Sequence, residues 1–266
     1  MKALGEFIAL IHNENIKIYS RVRTWIMLFM LAVMSALLPT LVYFTNARES
    51  SAGVALWDNF QMTVSVAFFL NTIFTVVVAS DSVAGEFTWG TIKLLLIRPW
   101  SRSKILLSKY ISVLLFSLLS TVVLIAFGLG ASLLFSSSTA ETMLSSTMWS
   151  PAQYAFLDIL CRYIELFLTV ALAFMVSSVF RASGLAIGLS LFIMFAKTII
   201  TAIFSPERFE WAQYLIFTHM DLSGYLISNT GPGGATLGFS IAVLAVYYAL
   251  FMLISWVVFR KRDVAA

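Results

Sequence analysis

The sequence predicts an all-α polytopic membrane protein with six transmembrane helices, an N-terminal interfacial helix and a cytoplasmic segment between spans two and three. Three observations carry this prediction. The chain has 266 residues, 60% hydrophobic and only 11% charged, with a mean hydropathy of +0.93, far from the balance of a water-soluble domain. Six apolar runs reach the length of about 20 residues that a hydrocarbon core of ~30 Å requires of a helix. Lysine and arginine also alternate between rich and poor segments along the chain, as they do across a membrane.

Taken in order, residues 3–20 carry Leu4, Phe7, Ile8, Ile11 and Ile18 at near-helical spacing, with Glu6, His12, Asn13 and Lys17 between them. This is the pattern of a helix lying in the membrane interface. Glu6 and Glu14 interrupt the stretch and the first long apolar run starts only near Trp25, so no cleaved leader is expected. The six spans fall at about residues 25–45, 60–80, 105–135, 154–180, 184–204 and 236–259.

With the N-terminus cytoplasmic, the inner segments hold Lys2, Lys17, Arg21, Arg23, Lys93, Arg98, Arg102, Lys104, Lys109, Arg181, Arg260, Lys261 and Arg262. Only Arg48, Arg162, Lys197 and Arg208 remain elsewhere. The expected topology is therefore a multi-pass protein of the cell membrane with both termini cytoplasmic. Outer connections lie near 46–59, 136–153 and 205–235. The last interleaves aromatic residues with charges, as in "PERFEWAQYLIFTHMDLSGYLI", before the turn "NTGPGG", which suits short helices at the outer interface. No repeat or linker divides the chain, and residues 1–266 read as a single transmembrane domain.

The residues of an active site are missing from the pattern. His12 and His219 lie far apart and on opposite sides of the expected membrane, without a partner at catalytic or metal-ligand spacing; packing at an interface or contact with solvent accounts for both. Cys161 is the single cysteine and excludes an internal disulfide or a thiolate cluster. The glycines at 231, 233 and 234 lack the Lys-Ser/Thr ending of a phosphate-binding loop. No enzyme activity, metal or cofactor is expected in this chain, and the formal charge of +4 reflects topology, not nucleic acid.

Charges inside the spans need partners. Asp158, Arg162 and Glu165 share one helix face of the fourth span, and Lys197 sits at comparable depth in the fifth. They read either as the polar lining of a substrate path or as an ion-pair cluster that orients helices. "GLAIG" at 184–188 allows close helix approach.

Between spans two and three, "SDSVAGEFTWGTIKLLLIRPW" holds Asp81, Glu86, Lys93 and Arg98 and ends at Pro99. A helix along the cytoplasmic surface would turn Phe87, Ile92 and Leu95 or Leu96 to lipid or protein and Glu86, Lys93 and Arg98 to water. Ser101 or Ser103 can cap the helix that follows. Topogenic and lipid-binding charge explains part of this pattern; a docking surface is the alternative.

The run from Glu86 through Gly90, Thr91, Ile92, Lys93, Leu94 and Leu96 to Arg98, Pro99, Ser101, Arg102, Ser103, Lys104 and Lys109 resembles the segment after the first two-span hairpin of ABC-2 type permeases. These are the membrane subunits of ATP-binding cassette transporters. The resemblance extends over nearly the whole chain, with an N-terminal amphipathic helix, six spans and the outer connection around "YLIFTHMDLSGYL". It implies a cytoplasmic coupling helix in which Glu86, Phe87, Gly90, Thr91, Lys93 and Arg98 engage a separate cytosolic ATPase. It further implies that ATP and magnesium bind in that partner, and that a second permease copy or a related permease completes a dimer in the lipid bilayer. Export of a peptide antibiotic, drug or lipid-like cargo is the implied activity. An ion-coupled secondary transporter or channel is the alternative, with Glu165 and Lys197 as its midplane charges.

The charge asymmetry yields a direct test of topology. In a Cys161→Ser background, cysteines introduced at Ser138 and Ser228 react with an impermeant thiol reagent in intact cells, and one at Ser103 reacts only after lysis. Labelling of position 103 from outside overturns the orientation.

Overall fold

A computed structural model of the chain describes residues 2–49, 54–92, 100–136, 149–228 and 230–261. Its elements are α-helices and short 3-10 turns, with no strand among the described residues. The helices are α1 (Lys2–Tyr19), α2 (Val22–Glu49), α3 (Leu56–Thr88), α4 (Arg102–Leu134), α5 (Pro151–Val179), α6 (Ser183–Ile203), the single turn α7 (Ile216–His219) and α8 (Leu237–Lys261). Six of them, α2 to α6 and α8, are long and apolar enough to cross a membrane. Each coincides with one of the six expected apolar runs.

The helix boundaries follow from local chemistry. Ser101 caps α4, its Oγ accepting from the Lys104 N–H at 3.4 Å, which satisfies one of the orphan donors of the first turn. Ser103, the other candidate, instead accepts from Trp256 Nε1 at 2.8 Å and ties α4 to α8. Ser150 and Gln153 form a reciprocal capping box at the start of α5, with Pro151 at its first position. At the end of α3 the Trp89 N–H reaches Gly85 O at 2.9 Å and Gly90 takes φ +68, a left-handed conformation open to glycine at little cost.

The longest departure from expectation is also at this end. The second apolar run ends near residue 80, yet α3 continues to Thr88. Asp81 and Glu86 stay inside the helix because cations from other helices meet them, as described below. The surface helix expected to begin at Glu86 is therefore divided: Glu86 and Phe87 belong to the last turn of the second span, Gly90 breaks the helix, and residues 93–99 lie outside those described.

α3, α4 and α5 form the centre, with α2 against α3 and α4, α6 against α3, α8 against α5, and α1 across α4. Phe60, Val64, Val76 and Val83 of α3, Val113, Phe116 and Leu124 of α4, and Leu166, Val170 and Phe174 of α5 are fully or nearly fully buried. α2, α6 and α8 leave large apolar side chains such as Phe29, Phe192, Ile199 and Val246 exposed, as faces that meet lipid do.

Polar contacts between the central helices are small and paired. Asn71 Nδ2 donates to Thr121 Oγ1 at 3.0 Å, and Ser177 Oγ accepts from the N–H groups of Val83 and Ala84 at 3.1 and 3.0 Å. Asn59 Nδ2 donates to Pro39 O and Phe135 O, binding α2, α3 and the end of α4. Such hydrogen bonds matter in a bilayer because lipid tails supply no hydrophobic drive for helices to associate.

The connection before α8 also corrects an expectation. His219 is 1% exposed, packed inside the protein and not in contact with solvent. Its Nε2–H donates to Gln213 O and its Nδ1 is hydrogen-bonded to Ser240 Oγ, both at 2.7 Å, and Tyr225 OH lies 2.7 Å from the same serine oxygen. The histidine thus pins the connection to the first turn of α8.

Candidate functional site

The residues with chemistry gather in two places about 30 Å apart along α3, since Ser65 and Glu86, one in each, are 21 residues apart at ~1.5 Å per residue. The first is the lysine- and arginine-rich end, where α1, the end of α3 and the start of α4 converge. Lys109 of α4 has a side chain only 2% exposed. Its Nζ lies 2.7 Å from Glu14 Oε2 of α1 and 3.0 Å from Glu86 Oε1 of α3. Lys17 closes the ring, 2.8 Å from both Glu14 and Glu86. Two acids face two bases, so no net charge is left in the enclosed space. An unpaired ammonium or carboxylate there would cost several kcal/mol.

Burial alone would depress the Lys17 ammonium, but the Glu14 and Glu86 carboxylates outweigh it and hold the group above its ordinary lysine value. A raised basic pKa stabilises the fold at every pH below the unfolded value and loses that contribution only as pH rises through the folded one. Lys17 therefore stays charged throughout the physiological range.

Beside this ring, Asp81 of α3 is held by the guanidinium groups of Arg21 and Arg23 and by the Ser183 hydroxyl. One carboxylate answers two cations, leaving one positive charge in excess. Gly85 sits one turn along α3; a Cβ there would come 2.9 Å from Asp81 Oδ1, so glycine keeps the carboxylate free to reach its partners. A cleft of about 860 Å³ opens over these groups, lined by Lys17, Arg21, Arg23, Glu86, Thr88 and Trp89 among others.

The second place lies between α3, α5 and α6. Asp158 is 1% exposed and accepts from Arg162 Nε at 2.7 Å and Gln61 Nε2 at 2.6 Å. Arg162 Nη2 donates to Ser65 Oγ at 3.1 Å. Glu165 and Lys197 form an ion pair across α5 and α6. Arg162, Glu165 and Lys197 line one cavity of about 240 Å³ with Phe68, Leu172 and Ile193. No group of three or more metal-ligating side chains occurs among the described residues.

Comparison with known proteins adds the following. The model of the family described as Protein of unknown function (DUF2705) matches residues 22–265. The chain belongs to this family. It is 31% identical to Uncharacterized protein YhcI of Bacillus subtilis (strain 168), covering 96% of this chain and 99% of that one. It is 28% identical to Uncharacterized membrane protein YdbK of the same organism, covering 93% and 99%. It is also 28% identical to Probable ABC transporter permease protein NosY of Stutzerimonas stutzeri, covering 74% and 78%. With its six apolar helices, this member of the family is a multi-pass membrane protein.

Of the residues expected to face a partner, Glu86 is turned inward with a side chain 11% exposed, and Phe87 packs on the core. Gly90 ends α3, and Thr91 is exposed and donates to Glu86 Oε2. Lys93 and Arg98 lie outside the described residues. Glu86 is consequently no water-facing probe of docking: its loss perturbs the ring itself. Sequence reasoning missed Glu14, Asp81 and Lys109 as members of a site. The signal was present, since Lys109 and Asp81 fall within or next to apolar runs, where an ionisable residue demands a partner.

Removing Lys109 strands the two carboxylates with one half-exposed lysine. Lys109→Met is expected to cost about 3–5 kcal/mol of stability, the usual effect of breaking a buried ion pair. The double variant Glu14→Gln/Lys109→Met should recover much of that loss. Thermal unfolding followed by tryptophan fluorescence checks both; strict additivity of the two single losses would show that the groups do not interact.

Proposed function

We propose that this chain is the permease subunit of an ATP-binding cassette transporter, working as a dimer with cytosolic ATPase subunits that bind ATP and magnesium. The single observation that carries this reading is the similarity to NosY over 74% of the chain and 78% of that permease. The sequence pattern from Glu86 to Lys109 and the arrangement of the basic end support it.

The proposed mechanism runs through the Glu14–Lys17–Glu86–Lys109 ring. Thr91, at the start of the connection between α3 and α4, is hydrogen-bonded to Glu86, and Glu86 is bound to α1 and α4 through Lys17 and Lys109. A push on that connection cannot move α3 alone without separating buried charges. It moves α1, α3 and α4 together. ATP binding in the partner would favour one of two arrangements of these helices, and the ring would carry that preference into the bundle. Export of an amphiphilic, peptide or drug-like cargo is the direction we propose.

Docking would use groups outside the ring. Trp89 is 75% exposed immediately after α3, and exposed aromatics next to cations are the common anchors of protein interfaces. Trp89→Ala and, separately, Lys93→Glu should leave membrane expression and thermal stability unchanged. Each is expected to weaken retention of the cognate ATPase by about tenfold or more, at least ~1.4 kcal/mol. Co-purification and ATP-dependent transport in proteoliposomes measure this. Full retention and full transport by both variants would sink the docking assignment.

A further inference from the structure

We infer that the cavity between α3, α5 and α6 is a binding site for the head group of a zwitterionic amphiphile. The inference rests on that cavity alone and does not depend on coupling to an ATPase.

The cavity lies apart from the ring at the basic end. Its charged groups are within reach of a ligand: the Glu165 and Lys197 side chains are 31% and 21% exposed and line the space. Ser190 lines the same space and is 1% exposed, and its hydroxyl has no hydrogen-bond partner among the described residues. The Ser35, Ser80 and Ser132 hydroxyls are buried without a partner in the same way, so Ser190 adds an unused donor and acceptor to the cavity wall, and the charged pair carries the argument for a ligand. Phe68, Leu172, Ile193 and Phe217 supply apolar walls. At about 240 Å³ the space lies just below the roughly 300–1,000 Å³ of pockets that enclose a drug-sized ligand. It suits a head group whose chain runs out along the apolar side chains.

The charge count selects the head group. Arg162 is already answered by buried Asp158 at 2.7 Å, so the exchangeable pair is Glu165 with Lys197. A ligand bearing one anion and one cation can open this pair and close two new ones, its anion on Lys197 and its cation on Glu165. Every charge in the low-dielectric space stays compensated. An anionic or a cationic ligand would satisfy one of these residues and strand the other, at the cost that unpaired charges carry in such surroundings. An uncharged head would have to leave the pair intact and gain nothing from it.

The test uses the full chain purified in a non-ionic maltoside detergent, with four probes sharing one fourteen-carbon chain. These are a lysophosphatidylcholine, a lysophosphatidylglycerol, a monoacylglycerol and an alkyltrimethylammonium. The lysophosphatidylcholine is expected to bind about tenfold more tightly than each of the others. The double variant Glu165→Gln/Lys197→Met replaces the pair by uncharged groups of similar size and should keep its thermal stability while losing that preference. Native mass spectrometry of the protein as purified separates the sources. A zwitterionic phospholipid retained by the wild type and absent from the double variant identifies a bilayer lipid; an empty wild-type protein that takes up the added probe identifies a ligand arriving from outside. Equal affinity for the four probes, tighter binding of a singly charged one, or a preference that survives in the double variant overturns the inference.

Discussion

Placing the ammonium of Lys109 where its side chain is 2% exposed is the constraint on which the rest of the structure depends. No hydrophobic contact offsets an isolated charge in such a site, because the desolvation cost exceeds what apolar burial of one side chain returns. Carboxylates must therefore come to it. Glu14 arrives on α1 and Glu86 on an α3 extended past its apolar run, and with them the positions of three helices are fixed against one another. The same requirement explains why α3 does not stop near residue 80: Asp81 and Glu86 are tolerated in the helix because Arg21, Arg23, Lys17 and Lys109 are already beside them.

Between this end and the second charged cluster, the bundle is held by packing and by short hydrogen bonds such as Asn71 to Thr121 and Ser177 to the α3 backbone. In lipid these contacts replace the hydrophobic drive that assembles a soluble core. They leave α3, α4 and α5 as a well-buried centre and α2, α6 and α8 as apolar faces turned outward.

The two networks are built for different work. The one at the basic end matches two acids with two bases around the buried ammonium of Lys109. The one between α5 and α6 keeps a fully buried member, Asp158, for orientation and presents Glu165 and Lys197 to a cavity. Ser190, unpartnered at the wall of that cavity, belongs with the second kind.

Span number, span order and several helix ends were determined by the sequence itself. Apolar length sets what can cross a bilayer, and capping chemistry such as Ser101, Ser150 with Pro151, and Gly90 is local. The facing positions of Asp158 and Arg162 on one helix were legible for the same reason: i, i+4 spacing is a property of the helix alone. Which helices meet, and so which charges pair, was decided by tertiary structure. Glu14 and Lys109 are 95 residues apart, and nothing in the spacing of either says that α1 crosses α4. Glu86 looked water-facing because a surface helix over this stretch would put it on one polar face with Lys93 and Arg98; it is buried because Lys17 and Lys109, distant in sequence, surround it. Periodicity assigns a residue to a face of its own helix, and only packing determines what that face touches.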